Sequence, residues 1–345
     1  MDIFNIKYFS NEAVNTIMLG TLAFSLSMLI TPIYTTFAYR YKLWKKPRQS
    51  TLTGEAAKVF TKLHKAKHRR HIPTMAGLIF LLSIVIVTVF YNFNRQQTWL
   101  PLAATIGAGM IGFVDDIINL RGVGKGIAGL NSKIKFLSIL IVAGIGGWYF
   151  YFKLGYDTFN IPFAGEVNIG WLLIPLFMLV VVSTANAVNI TDGLDGLAGG
   201  LLTSAFLVYA LIAFLQGNYG IAGFCVTIVG ALLSYVWFNI YPARFFMGDI
   251  GSFALGTALG VVAMLTDTLV LLPVIGIVFV IEAGSSLIQV LSKKILGRKI
   301  FQSAPIHHHF EAIGWPETKV TMRFWLIGQM AGVLGLIIAL IGGLV

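Results

Sequence analysis

The run GWLLIPLFMLVVVSTANAVNITDGLDG, residues 170–196, decides how this chain is read. Its first part, 170–189, is largely apolar and long enough to cross the hydrocarbon core of a bilayer as a helix. Its end is polar: Asn186, Asn189, Asp192 and Asp195 follow at three-residue steps, with Gly193 and Gly196 among them. On a helix such steps drift only gradually round one face, so the four polar tips are expected to converge on a ligand. The glycines interrupt the helix and let backbone approach a phosphate or sugar closely. Capping of the next helix is a plainer role for Asp195, but it covers that residue alone. Carboxylates are costly beside a bilayer, so a membrane protein that gathers them is expected to bind something.

The same kind of apolar run recurs along all 345 residues. The chain is 57% hydrophobic and 11% charged, with mean hydropathy +0.82, whereas soluble domains are about a quarter charged. Ten stretches are expected to span: 16–39, 74–93, 98–117, 132–153, 170–189, 197–216, 219–240, 251–266, 269–291 and 322–344. The expected fold is therefore an all-α integral membrane protein of about ten transmembrane helices, one polytopic domain over residues 1–345. Asp2 and Glu12, with no basic region before the first apolar stretch, argue against a cleavable signal peptide. The lone cysteine, Cys225, falls inside a span and reads as a small core residue. Residues 154–169, with Pro162 and Gly165, read as a small hairpin in an outward loop.

Ten spans place both termini on one side and sort the loops into two sets. Loops after the odd-numbered spans hold 22 of the 25 Lys and Arg residues; only Lys7, Arg95 and Lys153 lie on the other side. The positive-inside rule makes the basic set cytoplasmic and both termini periplasmic or extracellular. The loop 40–72 carries eleven basic residues against Glu55. Ala56, Val59, Phe60 and Leu63 recur there at helical spacing, as in a helix lying on the membrane surface. Its charge serves as a topology signal attracted to anionic lipid, and without a recognition motif it does not indicate nucleic-acid binding.

Every polar cluster lies on the basic side, which points to one cytoplasm-facing cleft. Asp115-Asp116 end an apolar span; adjacent carboxylates repel and call for a divalent cation, a lysine or a proton-transfer role. Lys125, Lys133 and Lys135 follow them. Asp249, in Phe246-Met-Gly-Asp249-Ile-Gly-Ser252, stands at the entrance of a span as either helix cap or metal ligand. Oxygen donors favour magnesium over zinc, for which the cysteine pairs are missing. The run His307-His308-His309-Phe310-Glu311 suits phosphate contacts or proton shuttling. Glu282, inside the ninth span, reads equally as functional or as a structural hydrogen-bond partner, and Gln289 lies two turns on.

These motifs, in this order and on one side, resemble those of the polyprenyl-phosphate N-acetylhexosamine-1-phosphate transferase superfamily (glycosyltransferase 4 family). The resemblance covers about residues 40–325. The stretch from Ala304 through Gly314-Trp315, Glu317, Lys319-Val320 and Arg323-Phe324-Trp325 is similar to members that handle phospho-MurNAc-pentapeptide. It implies a magnesium-dependent transfer of phospho-MurNAc-pentapeptide from its UDP carrier to undecaprenyl phosphate. The products are lipid I and UMP, the first membrane step of peptidoglycan synthesis, at the bacterial inner membrane. It also implies roles for residues. Asp115, Asp116, Asp249, Lys135 and His308 would be catalytic, with Asp249 and Asn189 holding the metal. Substrate would meet Asn186, Asp192, Asp195, Asn239, Phe246, Gln289, His307, His309 and Lys133, with Phe246 stacking on uracil. Either Asp115 or Asp116 can serve as base, and attack can be direct or pass through a covalent phospho-enzyme. A homodimer in the bilayer is compatible with the resemblance.

Two departures stand out. The family's Lys-x-Gly-Thr-Pro-Thr-Met-Gly-Gly reads here Arg69-Arg70-His71-Ile72-Pro73-Thr74-Met75-Ala76-Gly77, and the lysine common three residues after the Asp pair is Asn119. Two rivals differ in chemistry. A relative carrying GlcNAc-1-phosphate or a similar sugar would lack use for the His307–Glu311 region. An ion-coupled transporter would place its site at mid-membrane between repeated halves, yet the acids gather at one face and no internal repeat is seen.

Overall fold

The computed structural model describes residues 3–44, 71–122 and 129–345. Most of the basic loop 40–72, with its expected surface helix, and Lys125 lie outside the described residues. The helices are α1 (Ile3–Arg40), α2 (Gly77–Tyr91), α3 (Trp99–Arg121), α4 (Ser132–Phe152), α5 (Leu173–Thr191), α6 (Leu197–Leu215) and α7 (Tyr219–Asn239). They continue with α8 (Gly248–Leu265), the single turn α9 (Leu272–Ile275), α10 (Ile277–Leu296), the short α11 (Ile306–Ala312) and α12 (Glu317–Ile341). An antiparallel hairpin, β1 (Thr158–Ile161) and β2 (Gly165–Asn168), fills the outward loop where one was expected.

Among the described residues, eight helices are long and apolar enough to cross a membrane, so the protein is a multi-pass membrane protein. All ten expected apolar stretches fall on helices, but two differ in form. The 15-residue α2 is shorter than the others. The stretch 269–291 is not one straight helix: it bends by 80° between Leu269–Ile275 and Ile277–Leu296, with Gly276 at the break. Helix α1 also starts well before residue 16, because Asn5, Ser10, Asn11 and Glu12 interrupt the apolar pattern without breaking a helix.

Helix α8 is the axis of the bundle. All of its residues are buried, and it packs against α2, α3, α5 and α6. Its sequence explains this: Gly251, Ala254, Gly256, Ala258, Gly260 and Ala263 keep the surface small, so neighbouring backbones come close. Eighteen residues make a rod of about 27 Å, matching the hydrocarbon thickness.

The connections sort by end. At one end the hairpin, the turn after α6, the turn after α8 and the C-terminus are tied together. Asn160 donates its backbone N–H and its side-chain amide to the Asp267 carboxylate at 2.9 and 2.6 Å. The Gln216 amide donates to the carbonyls of Thr266 and Leu344 at 2.8 and 2.7 Å. Helix α1 packs beside α7, with Gly20 against Val226 and the Tyr34 hydroxyl donating to the Thr74 carbonyl near the opposite end. That opposite end carries the acids.

Candidate active site

The site begins with a close crossing of α3 and α8. A side chain on Gly112 would collide with the Asp249 backbone, so only glycine lets the two helices meet there. Asp116, one turn later on the same face of α3, is thereby brought to the first turn of α8. Its Oδ2 accepts from the Ile250 N–H at 3.1 Å. Asp115 and Asp116 are fully buried and Asp249 nearly so.

Helix α4 supplies the counter-charge. The Asn131 side chain caps its start by accepting from the Lys133 N–H at 3.0 Å. This orientation leaves Lys133 exposed and turns Lys135 inward. The Lys135 Nζ lies 2.6 Å from Asp115 Oδ2 and 2.9 Å from Asp249 Oδ2. Asp115 Oδ1 accepts from the Leu130 N–H at 2.5 Å. Two carboxylates from distant parts of the sequence therefore share one ammonium. With all four groups ionised, three carboxylates and one lysine leave a formal charge of −2 (−3 + 1). Oxygen donors with that charge fit a hard divalent cation. Among the described residues no group of three or more His, Cys, Asp or Glu forms a ready cage. Magnesium needs none, since it keeps waters and shares one or two carboxylates with substrate phosphates.

The segment 189–196 closes one side. The Asn189 amide donates to Ser252 Oγ at 2.8 Å, one turn beyond Asp249 on α8. Asn186, by contrast, donates to its own helix at the Val182 carbonyl, 2.8 Å away. Helix α5 ends at Thr191, with Asp192 as its C-cap. The helical-face expectation thus applies to Asn186 and Asn189, while Asp192 and Asp195 reach the region through a glycine-bearing turn. Asp195 does not cap α6, whose N-cap is Gly196. Its Oδ2 accepts from the Ala243 N–H at 3.0 Å. Asn239 accepts from the Gly196 N–H at 2.9 Å and donates to the Phe245 carbonyl at 2.8 Å. These two side chains brace the backbone just before half-buried Phe246. The Phe246 N–H donates to the Pro73 carbonyl at 2.8 Å, and its carbonyl accepts from the Ala76 N–H at 3.0 Å. The Pro73–Gly77 segment is thus laid alongside the approach to α8.

The histidines are held by α10, whose polarity is inverted relative to a soluble helix. Glu282, Ser285, Gln289 and Ser292 form a buried stripe, while Ile281, Leu287, Ile288, Leu291 and Ile295 face outward. The stripe docks the chain that follows. Ser292 donates to the Arg298 carbonyl at 2.8 Å, and Gln289 accepts from the Ile300 and Phe301 N–H groups at 3.2 and 3.0 Å. Ser285 accepts from the Ile306 N–H at 2.9 Å. Glu282 Oε2 then meets His307 Nδ1 at 2.7 Å, and Glu311 Oε2 meets His308 Nδ1 at 2.7 Å. His309 Nδ1 accepts from the Gln302 N–H at 3.2 Å. The other edge of the His307 ring presses on Gly193, where a Cβ would lie 2.3 Å from Nε2.

The expected residues therefore fall into groups. Asp115, Lys135 and Asp249 meet directly, Asp116 joins through the Ile250 N–H, and Asn189 joins through Ser252. His307 touches the turn next to Asp192. Gln289 and His309 engage the 300–302 backbone, and Lys133 lies exposed. Three contributors had no role assigned from sequence: Ser252, Ser285 and Glu317. The spacing of Glu317, Thr321 and Trp325 along one helical face was the signal available for the last.

Buried carboxylates that share a lysine at one end of a multi-pass bundle define a membrane-embedded site suited to a phosphate-bearing substrate. Glycosyl transferase family 4 matches residues 98–267, which include the carboxylates and the 189–196 segment. A phospho-N-acetylmuramoyl-pentapeptide-transferase of Chloroflexus aurantiacus is 40% identical over 346 residues, covering 96% of this chain and 91% of the relative. The proteins of that name from Geobacillus sp. (strain WCH70) and Staphylococcus carnosus are each 40% identical, over 323 and 332 residues. Each covers 92% of this chain, with 95% and 98% of the respective relative matched. The chain belongs to the phospho-N-acetylmuramoyl-pentapeptide-transferase family.

Proposed function

We propose that the protein transfers phospho-MurNAc-pentapeptide from UDP-MurNAc-pentapeptide to undecaprenyl phosphate, releasing UMP and forming lipid I. The observation that carries this reading is the contact of Asp115, Lys135 and Asp249 at the end of the bundle where the basic connections gather. In the reaction a lipid-phosphate oxygen forms a bond to the sugar-linked phosphorus. The bond from that phosphorus to the bridging oxygen breaks, and UMP leaves with the electron pair. Such transfer needs mainly positioning and charge neutralisation.

The residues present suit those needs. Lys135 would bind phosphate oxygens. Asp115 or Asp116, both buried, keeps the lipid phosphate deprotonated. Asp249 and Asn189 would hold a magnesium ion, which when bound supplies positive charge beside the diphosphate. Asp195, Asn239 and Phe246 form the nucleoside end, with the Phe246 ring offered to uracil. Asn186, Asp192, Gln289, Lys133 and the three histidines would serve the sugar phosphate and peptide side, with His308 nearest in role to the chemistry. The proposal includes ten spans, termini outside, the site facing the cytoplasm from the bacterial inner membrane, and a homodimer. The side assignment is supported by 22 of 25 basic residues lying on one set of loops.

Purified protein given undecaprenyl phosphate with UDP-MurNAc-pentapeptide, or with UDP-GlcNAc, tests the substrate. UMP release with the first and little with the second is expected. Turnover confined to UDP-GlcNAc would overturn the assignment.

A further inference from the structure

Three residues on one face of α12 grip the turn that follows α5. Glu317 Oε1 accepts from the Asp195 N–H at 2.7 Å. Thr321 Oγ1 donates to the Asp195 carbonyl at 3.3 Å, and Trp325 Nε1 donates to the Gly196 carbonyl at 3.1 Å. The spacing i, i+4, i+8 places all three on the same stripe. The gripped turn is also the one bonded to Asn239 and Ala243. Asp195 is buried, as is Thr321, so these bonds lie where exchange with water is restricted and each lost partner is felt.

We infer that Glu317, with Thr321 and Trp325, is a positioning residue for nucleotide binding: it sets the Asp195–Gly196 backbone and, through Asn239, the nucleoside end of the site. This rests on the reading of Asp195 and Asn239 given above. The bland alternative is that Glu317 merely places a negative charge in the first turn of α12, where the helix dipole favours it. The two differ in which substitution is tolerated. Glu317→Gln keeps an oxygen acceptor at the same reach but loses the charge. Glu317→Asp keeps the charge but withdraws the acceptor by one methylene.

The experiment compares Glu317→Ala, Glu317→Asp and Glu317→Gln in steady-state UMP release, with hydrogen exchange of residues 193–197 measured on the same preparations. Positioning predicts that Ala and Asp raise the KM for UDP-MurNAc-pentapeptide about tenfold, the effect of one buried hydrogen bond. The kcat and the KM for undecaprenyl phosphate stay within about twofold, exchange at 193–197 rises, and Gln stays near the parent. Parent-like KM in Asp with a raised KM in Gln would overturn the inference in favour of the charge. Parent-like exchange in Ala would overturn it outright. Should Ala fail to fold, Thr321→Val removes one of the bonds with little change of shape: raised exchange at 193–197 supports the inference, and unchanged exchange refutes it. A parent protein that releases no UMP would defeat the proposed function, and the exchange measurement would still decide the role of Glu317.

Discussion

A Cβ placed on Gly112 would lie 2.2 Å from the Asp249 carbonyl oxygen, so α3 and α8 touch backbone to backbone one turn before the paired carboxylates. Asp249 of one helix and Asp115 and Asp116 of another are thus set by a packing constraint as well as by polar contacts. Replacing Gly112 by Ala forces the helices apart at the site. A loss of about 3 kcal/mol is expected, the upper range for overpacking, together with loss of UMP release. Gly107, on the same helix, has only Val142 methyls at 3.4 Å from its Cβ position. Gly107→Ala should melt within a few degrees of the parent in detergent.

Lys135 is the shared cation of Asp115 and Asp249. Lys135→Ala leaves two neighbouring carboxylates facing each other and removes the charge proposed to bind phosphate. The kcat for UMP release should fall about 100- to 1000-fold, the usual cost of deleting one electrostatic stabiliser. A fall of less than fivefold would take Lys135 out of the reaction.

The contact of His307 with Gly193 predicts a non-additive pair. Gly193→Ala drives a methyl into the imidazole ring and should cost both stability and activity. In a His307→Ala background that methyl meets space, so the same change should cost much less. Glu282→Ala removes the partner of His307 Nδ1 and should destabilise by about 1–3 kcal/mol, whereas Glu282→Gln keeps a partner and should lose less. Equal effects of Gly193→Ala in both backgrounds would separate the turn from the histidine.

At the far end, Asp267 is tied to Asn160, and burial raises its pKa above the ordinary 3.8 despite the hydrogen bonds from Asn160. An acid raised in the folded state favours folding while protonated, and that contribution is lost as pH climbs through the folded value. Asp267→Asn is therefore expected to melt higher than the parent at pH 7, with Asn160 turning its amide oxygen to the new side chain. The difference should vanish below about pH 4. Melting curves over that range check the sign.

Much of this was legible in advance. The apolar runs located the helices because a bilayer demands continuous hydrophobicity, and the Pro162–Gly165 turn marked the hairpin. Asp115, Asp116, Asn189 and Asp249 stood out because carboxylates and amides beside such runs require compensation. Less legible was what depends on bending or on distant pairing. The 80° break at Gly276 falls inside one continuous apolar stretch, so composition does not register it. The inverted polarity of α10 turned Gln289 from an isolated amide into a dock for the 300–301 backbone. Glu317 carried the family resemblance but no role until α12 was laid against the turn at Asp195. Glu317 and Asp195 lie 122 residues apart, and no local pattern joins them.

The most direct measurement is UMP release from UDP-MurNAc-pentapeptide and undecaprenyl phosphate by the parent and by Asp249→Asn, with and without magnesium. The parent should turn over only with both substrates and the metal, and the variant should be slower by at least about 100-fold. Magnesium-dependent release that persists undiminished in Asp249→Asn would contradict a reaction centred on the Asp115, Lys135 and Asp249 contact.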